Sequence, residues 1–363
     1  MRFIHIADVH LGAVPDKGYP WSKKRSEEIW STFRNIIQET EKEQADLLLI
    51  AGDLFHRQPL LRELKEVNYL FGRLSRTQVV WIAGNHDYLR PDSPERTFEW
   101  AENVIFLDGR ECECVYFRDI NTTVYGMSYY QKEIMQPLYD NLVPEGRESC
   151  HILLAHGGDA KHIPIDRKRL SQSGFDYIAL GHIHKPQALA ENRMIYAGAL
   201  EPIDPNDTGE HGYILGEYRN GKIRTRFVPF AVRSYIHLTL HSDEDMTDSR
   251  MREILARKIA EYGSQNIYRV QLTGYRDPDV IFQTDAYGSF GNILEVDDAT
   301  EPEYDFGELL ARHETDVIGR YIQRLLPEET KVKECGETLT KEERGNIRYR
   351  ALCLGVQALK KRR

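Results

Sequence analysis

The chain has 363 residues, 41% of them hydrophobic and 29% charged, with a formal net charge of −9. Such a composition excludes a disordered or collagen-like chain, and the length predicts one large domain with smaller ones attached. The acidic balance argues against a protein that holds nucleic acid by bulk electrostatics alone.

The polar start MRFIHIADVH does not read as a signal peptide and no apolar run is long enough to cross a bilayer, so a cytoplasmic protein without membrane contact is expected. After it, FIHIAD reads as a strand. Ser22 to Gln38 reads as an amphipathic helix, with Ile29, Phe33, Ile36 and Ile37 at helical spacing. LLLIA is a continuous apolar strand, Leu60 to Leu74 is helical, and VVWIA is the next strand. This βαβαβ rhythm predicts an α/β layer with strands covered on both faces. Cys112 and Cys114 would share one strand face. With Cys150, Cys335 and Cys353 they form no CxxC pair and are odd in number, which suits reduced thiols rather than disulfides or a zinc clip.

Further strands are expected at TVYGMS, HILLAH and YIALGH, then short antiparallel segments from Gln187 to Phe230 with a turn at Asn220-Gly221. The sheet, or a second one stacked on it, should therefore be mixed. Around Pro229 to Ser234 a boundary is expected, followed by the strand YIHLTL, a helix with Met251, Ile254, Leu255, Ile259 and Tyr262 on one stripe, and the strands IYRVQL and NILEV. One helix over Phe306 to Leu325 and another opening at Thr340, with Glu343 at capping-box spacing, close the chain. From Lys331 onward ten Lys or Arg stand against four Asp or Glu, a net +6, so residues 1–330 carry −15. That asymmetry points the tail toward something acidic.

Five polar clusters follow strands: DVH (Asp8 to His10), GDLFH (Gly52 to His56), GNHD (Gly84 to Asp87), His156, and GHIH (Gly181 to His184). Strand ends in an open α/β sheet converge on one rim, where ligands bind. Asp8 and His10 are two apart, as are His182 and His184, so each pair points to one side in extended backbone. The donor set Asp8, His10, Asp53, Asn85, His156, His182 and His184 offers oxygen and imidazole nitrogen without thiolate, which suits manganese, iron or zinc. Seven donors exceed one tetrahedral ion but suit two ions sharing a carboxylate, about 3.5–4 Å apart, for in-line attack at phosphorus. Two divalent ions outweigh the two carboxylates, so the site attracts a phosphate anion. Hydrolysis of a phosphoester is the predicted reaction.

DVH, GDLFH, GNHD, a lone His after a strand, and GHIH, in this order, resemble the calcineurin-like metallophosphoesterases. His56 and the phrase FDYIALGHIHK resemble in particular the SbcD and YhaO type of DNA repair exonuclease subunit. The likeness covers residues 1 to 215 most strongly. It implies a two-sheet mixed β sandwich flanked by helices, one metal held by Asp8, His10, Asp53 and His184, and the other by Asp53, Asn85, His156 and His182. It also implies that His86 stabilises or protonates the leaving oxygen, that Asp87 orients His86, and that His56 contacts the scissile phosphate or helps release the nucleotide. Where such nucleases carry a stretch like YPGS, this sequence reads YAGALEP, Tyr196 to Pro202.

The expected division is a nuclease domain over 1–230, a small α/β DNA-capping-like domain over 231–305, and a helical region over 306–363 that docks a partner. The expected function is a manganese-dependent nuclease, with iron or zinc as alternative metals, acting on single- or double-stranded DNA ends in double-strand break repair. Its partner would be an SbcC-like ABC-type coiled-coil ATPase, with homodimers through Leu60 to Leu74 or Pro94 to Ala101. A phosphodiesterase for a small nucleotide is the alternative. A protein phosphatase is disfavoured because Leu54-Phe55-His56 does not match GDxVDRG, and a non-catalytic scaffold because no ligand position is vacant. Arg167 to Arg169 and the loop with Tyr19, Trp21, Lys23, Lys24 and Arg25 could grip a phosphate backbone, with Arg25 expected to order the active-site rim. His5, His151, His162, His211, His237, His241 and His313 have no motif support and are assigned no role.

Overall fold

Every residue of LLLIA is buried, which a strand achieves only when both of its faces are covered. The structure, a computed structural model, describes residues 1–146, 150–326 and 347–360. Its first unit, Met1–Ile236 with Gln265–Ile267, holds two six-stranded mixed sheets. The first four strands, β1 (Arg2–Ile6), β2 (Leu47–Ala51), β3 (Gln78–Ile82) and β4 (Val104–Phe106), run parallel. The chain then builds the second sheet from β5 (Glu113–Phe117), β6 (Thr122–Gly126), β7 (Cys150–His156), β8 (Tyr177–Gly181), β9 (Gln187–Ala190) and β10 (Met194–Tyr196). It returns to the first with β11 (Gly212–Arg219), antiparallel beside β1, and β12 (Lys222–Pro229). The orders are β12-β11-β1-β2-β3-β4 and β5-β6-β7-β8-β10-β9. Asn220 and Gly221 join β11 to β12 with φ of 54° and 73°, the left-handed pair that a tight hairpin turn requires.

Side-chain alternation explains the layering. Leu47, Leu49 and Ala51 pack with Val80 and Ile82 against Ile152, Leu154 and Ala179 of the second sheet. Leu48 and Ile50 face the other way, onto Ile29, Phe33 and Ile36 of α1 (Ser22–Lys42) and Leu64 and Val67 of α2 (Leu61–Phe71). Each such side chain, fully buried, contributes about 1.5–3 kcal/mol. The outer face of the second sheet packs Leu153, Ala155, Ile178 and Leu180 against Tyr129, Ile134 and Tyr139. The expected α/β fold with two mixed sheets is thus present.

Three details differ from the expectation. β4 is an additional strand, because its three apolar residues carry no readable period, whereas β5 takes up Cys114 of the strand expected around Cys112 and Cys114. β10 lies parallel against β8 rather than wholly within antiparallel hairpins. The single helix expected over Phe306–Leu325 is two, α5 (Phe306–Arg312) and α6 (Val317–Leu325). Asp316 separates them: its side chain accepts the Ile318 and Gly319 N–H groups as an N-cap and also lies 2.7 Å from His313 Nδ1.

The second unit comprises His237–Ser264 with Tyr268–Arg363. Its sheet is formed by β13 (Tyr235–Ser242), β14 (Ile267–Arg276), β15 (Asn292–Asp298) and the short β16 (Glu301–Pro302). One face buries Leu238, Leu240, Val270 and Leu272 and the other exposes Thr239, Arg269 and Gln271, while α4 (Asp248–Tyr262) buries Met251, Leu255 and Ile259. A separate helical core joins Phe306, Ile318 and Ile322 to Tyr349, Leu352 and Val356 of the last described helix, Ile347–Lys360. The capping box at Thr340 and Cys335 lie outside the described residues. The four described cysteines are free, and burial pushes the Cys112 thiol up to about 11. No helix among the described residues is long and apolar enough to cross a membrane.

Candidate active site

The five polar clusters come from both sheets rather than from one rim. β1, β2 and β3 deliver Asp8 and His10, Asp53, and Asn85 to Asp87; β7 ends on His156 and β8 leads to His182 and His184. The seven expected metal ligands converge. His10 Nε2 lies 3.1 Å from His184 Nε2, and Asp8, His10 and His184 bring ligand atoms together as one group. Asn85 Oδ1 lies 2.9 Å from His156 Nε2 and 3.0 Å from His182 Nδ1. Asp53 Oδ2 stands between these groups, 3.9 Å from His10 Nε2 and 3.5 Å from His156 Nε2. Asp8 accepts the His182 N–H through both oxygens, at 2.9 and 3.1 Å, so β1 also fixes the loop that follows β8.

The backbone is bent to make this possible. Asp8, His10, Asp53 and His182 have φ of 50°, 52°, 52° and 96°, a region that costs a non-glycine residue about 1–3 kcal/mol each. Ladder-like bonds hold the strained turns: Asp8 N–H to Gly52 C=O at 3.2 Å and His10 N–H to Asp53 C=O at 3.0 Å. Two glycines leave room for the side chains. A Cβ at Gly52 would meet the His156 ring, and one at Gly84 would meet the Asp53 carboxylate.

Burial sets the electrostatics. It raises the Asp8 carboxyl to about 6 and drives His10 well below its ordinary value. At Asp53 the effect of burial is outweighed by His156, so the carboxyl stays well below the usual range; His156, despite its own burial, is raised to about 9 by Asp53. Burial likewise opposes a proton on His184, but the hydrogen bond to Asp207 raises it to about 9, while burial lowers His182 to about 4. The cleft is a desolvated place that stabilises opposite charges only as close pairs.

His56 and His86 flank the ligand groups. Their rings stack at 5.0 Å, His56 Nδ1 lies 3.4 Å from His10 Nδ1, and His86 Nδ1 faces the His56 carbonyl at 3.2 Å. Asp87 is placed differently from expectation: its carboxyl accepts the Phe55 and Gly84 N–H groups at 3.0 and 2.7 Å, tying two loops together instead of holding the His86 ring. Burial raises this carboxyl to about 8. Arg25 does not lie in an exposed loop. It is fully buried, paired with Glu28 at 2.8 Å and Glu201 at 3.5 Å, and donates to the Pro202 carbonyl. The apolar face of α1 carries it inward, and Glu201 belongs to the divergent YAGALEP stretch. Arg167 opens α3 (Arg167–Ser171), a short helix capped by Asp166.

Three residues near the site carried no sequence signal. Asp159 lies 2.8 Å from His182 Nε2, His162 joins it with Nδ1 at 2.9 Å, and Asp207 lies 3.0 Å from His184 Nδ1. The phrases GGDAKH and DPNDTG read as ordinary turns, and only the fold brings them to the histidines.

The donor chemistry fits two divalent ions: oxygen and imidazole nitrogen atoms gather in two groups with one carboxylate between them. A two-sheet α/β sandwich with such strand ends defines a metal-dependent phosphoester hydrolase. The chain belongs to the calcineurin-like phosphoesterase family, whose profile matches residues 1–186, and that family uses a dinuclear metal site. Among its relatives, the uncharacterized metallophosphoesterase YhaO of Bacillus subtilis (strain 168) is 30% identical over 305 residues, 76% of this chain and 72% of that one. The DNA double-strand break repair protein Mre11 of Methanocaldococcus jannaschii is 29% identical over 219 residues, 57% of this chain and 58% of that one. Mre11 of Methanopyrus kandleri is 26% identical over 259 residues, 63% and 56% of the two chains. The matches thus span less than two thirds of these Mre11 proteins.

Proposed function

We propose that this enzyme is a manganese-dependent, two-metal phosphodiesterase that cuts DNA at its ends. Asp8, His10, Asp53 and His184 would hold one ion, and Asp53, Asn85, His156 and His182 the other. Bound there, the ions would polarise the phosphate and lower the pKa of an attacking water. The observation that carries the reading is the place of Asp53 Oδ2 between two groups of ligand atoms, with a pair of further histidines beside them. His86 Nδ1–H donates to the His56 carbonyl, so His86 would act as the imidazolium, giving its Nε2 proton to the leaving oxygen and becoming the neutral ring. His56, half-buried like His182 and His184, would contact the scissile phosphate. Asp87 keeps the two loops in register.

DNA as substrate is supported by relatives named for double-strand break repair. Tyr19 and Trp21, stacked at 4.9 Å in the loop that follows His10, offer a surface for a base, and the second unit would cap the DNA. Exposed Ile347 and Leu354 on the last described helix suit docking of an ABC-type ATPase with coiled coils, and exposed Leu61 and Tyr69 on α2 suit a homodimer. A cytoplasmic location agrees with free cysteines. The −15 charge of residues 1–330 favours a second reading, a small cyclic or linear nucleotide as substrate. Manganese-dependent hydrolysis compared on single-stranded DNA, a duplex with free ends and a cyclic dinucleotide separates them. Cleavage of the DNA substrates is expected; cleavage of the dinucleotide alone would contradict the nuclease.

A further inference from the structure

We propose that Asp159 and Asp207 are positioning residues, one for each metal ion, that fix the imidazoles of His182 and His184 from behind; the inference rests on the two-metal reading above. Each of three converging imidazoles turns one nitrogen to the centre and anchors the other. His156 presents Nε2 and anchors Nδ1 on the Ala51 carbonyl at 2.9 Å. His182 presents Nδ1 and anchors Nε2 on Asp159 Oδ2 at 2.8 Å. His184 presents Nε2 and anchors Nδ1 on Asp207 Oδ2 at 3.0 Å. An anchored N–H fixes the tautomer, so that the opposite lone pair points at the centre, and a carboxylate anchor makes that lone pair more basic.

Both carboxylates are preset by their own loops. Asp207 Oδ2 also accepts the Ile203 and Asp204 N–H groups, each at 3.0 Å. Asp159 Oδ1 accepts the Lys161 and His162 N–H groups at 2.7 and 2.9 Å, and His162 Nδ1 steadies the other oxygen at 2.9 Å. His182 has φ of 96°, so its ring direction is not secured by a relaxed backbone and depends on this support. Because Asp207 serves the His10 side of the centre and Asp159 the Asn85 side, each substitution should weaken one ion and spare the other.

The test uses the full chain and its Asp159→Asn, Asp207→Asn and Asp53→Ala variants. Manganese and cobalt binding is followed by calorimetry, the cobalt visible spectrum is recorded, and the metal-free melting temperature is measured. Each Asn variant is expected to keep one ion at parental affinity, to bind the other about 10- to 100-fold more weakly with an altered cobalt spectrum, and to melt like the parent. Parental affinity for both ions would overturn the inference, as would a fall in affinity matched by a fall in metal-free stability. A third ion bound by the parent and lost in Asp159→Asn would also overturn it, making Asp159, His162 and His182 a separate site. If Asp53→Ala itself kept both ions, the two-metal reading would fail instead.

Discussion

His86 has one ring nitrogen turned to a backbone carbonyl and gathers with His56 and His10, and of these three only His10 is an expected metal ligand. Its substitution should therefore separate chemistry from metal binding. His86→Ala is expected to lower kcat by about 100- to 10,000-fold while the protein still binds two manganese ions; loss of an ion would make His86 a ligand rather than an acid. The ligand histidines could be read from the sequence because each sits at a fixed offset from a strand end. Asp159, His162 and Asp207 could not, since each is an ordinary turn residue until two sheets bring it to a histidine. Arg25 misled for a related reason: a basic residue in an aromatic loop reads as exposed, yet it opens a helix whose inward face carries it onto Glu28 and Glu201.

At the scale of elements, the short turn Pro94–Arg96 carries an unusual group. Glu95 is buried, and neither of its oxygens has a hydrogen-bond partner among the described residues; burial raises its carboxyl to about 7. The folded state thus favours the protonated acid more than the unfolded chain does. Its stability is whole below the ordinary glutamate value near 4.5 and declines as pH rises through about 7. Glu95→Gln, neutral at every pH, should match the parent's stability at pH 4 and exceed it at pH 8, by up to about 3 kcal/mol; equal stability at pH 8 would show that the carboxylate is solvated. The strands and long helices were legible because their apolar periods run for several turns. The break between α5 and α6 was not, because an N-cap at Asp316 overrides an otherwise helical pattern.

For the whole molecule, the central fact is that two stacked sheets end their parallel strands at one place. The order of motifs gave the number of donors, but not that β7 and β8 belong to a different sheet from β1, β2 and β3. Stacking is a choice of long-range pairing, and no local pattern encodes it. Most of the strained backbone at the site follows from that meeting, as strands from two layers must turn sharply to aim Asp8, His10, Asp53 and His182 at a common centre. The most direct test is anomalous diffraction at the manganese edge from crystals of the full chain grown with manganese. Two peaks about 3.5–4 Å apart, both within bonding distance of Asp53, are expected. A single peak, or two peaks with Asp53 touching only one, would contradict the account.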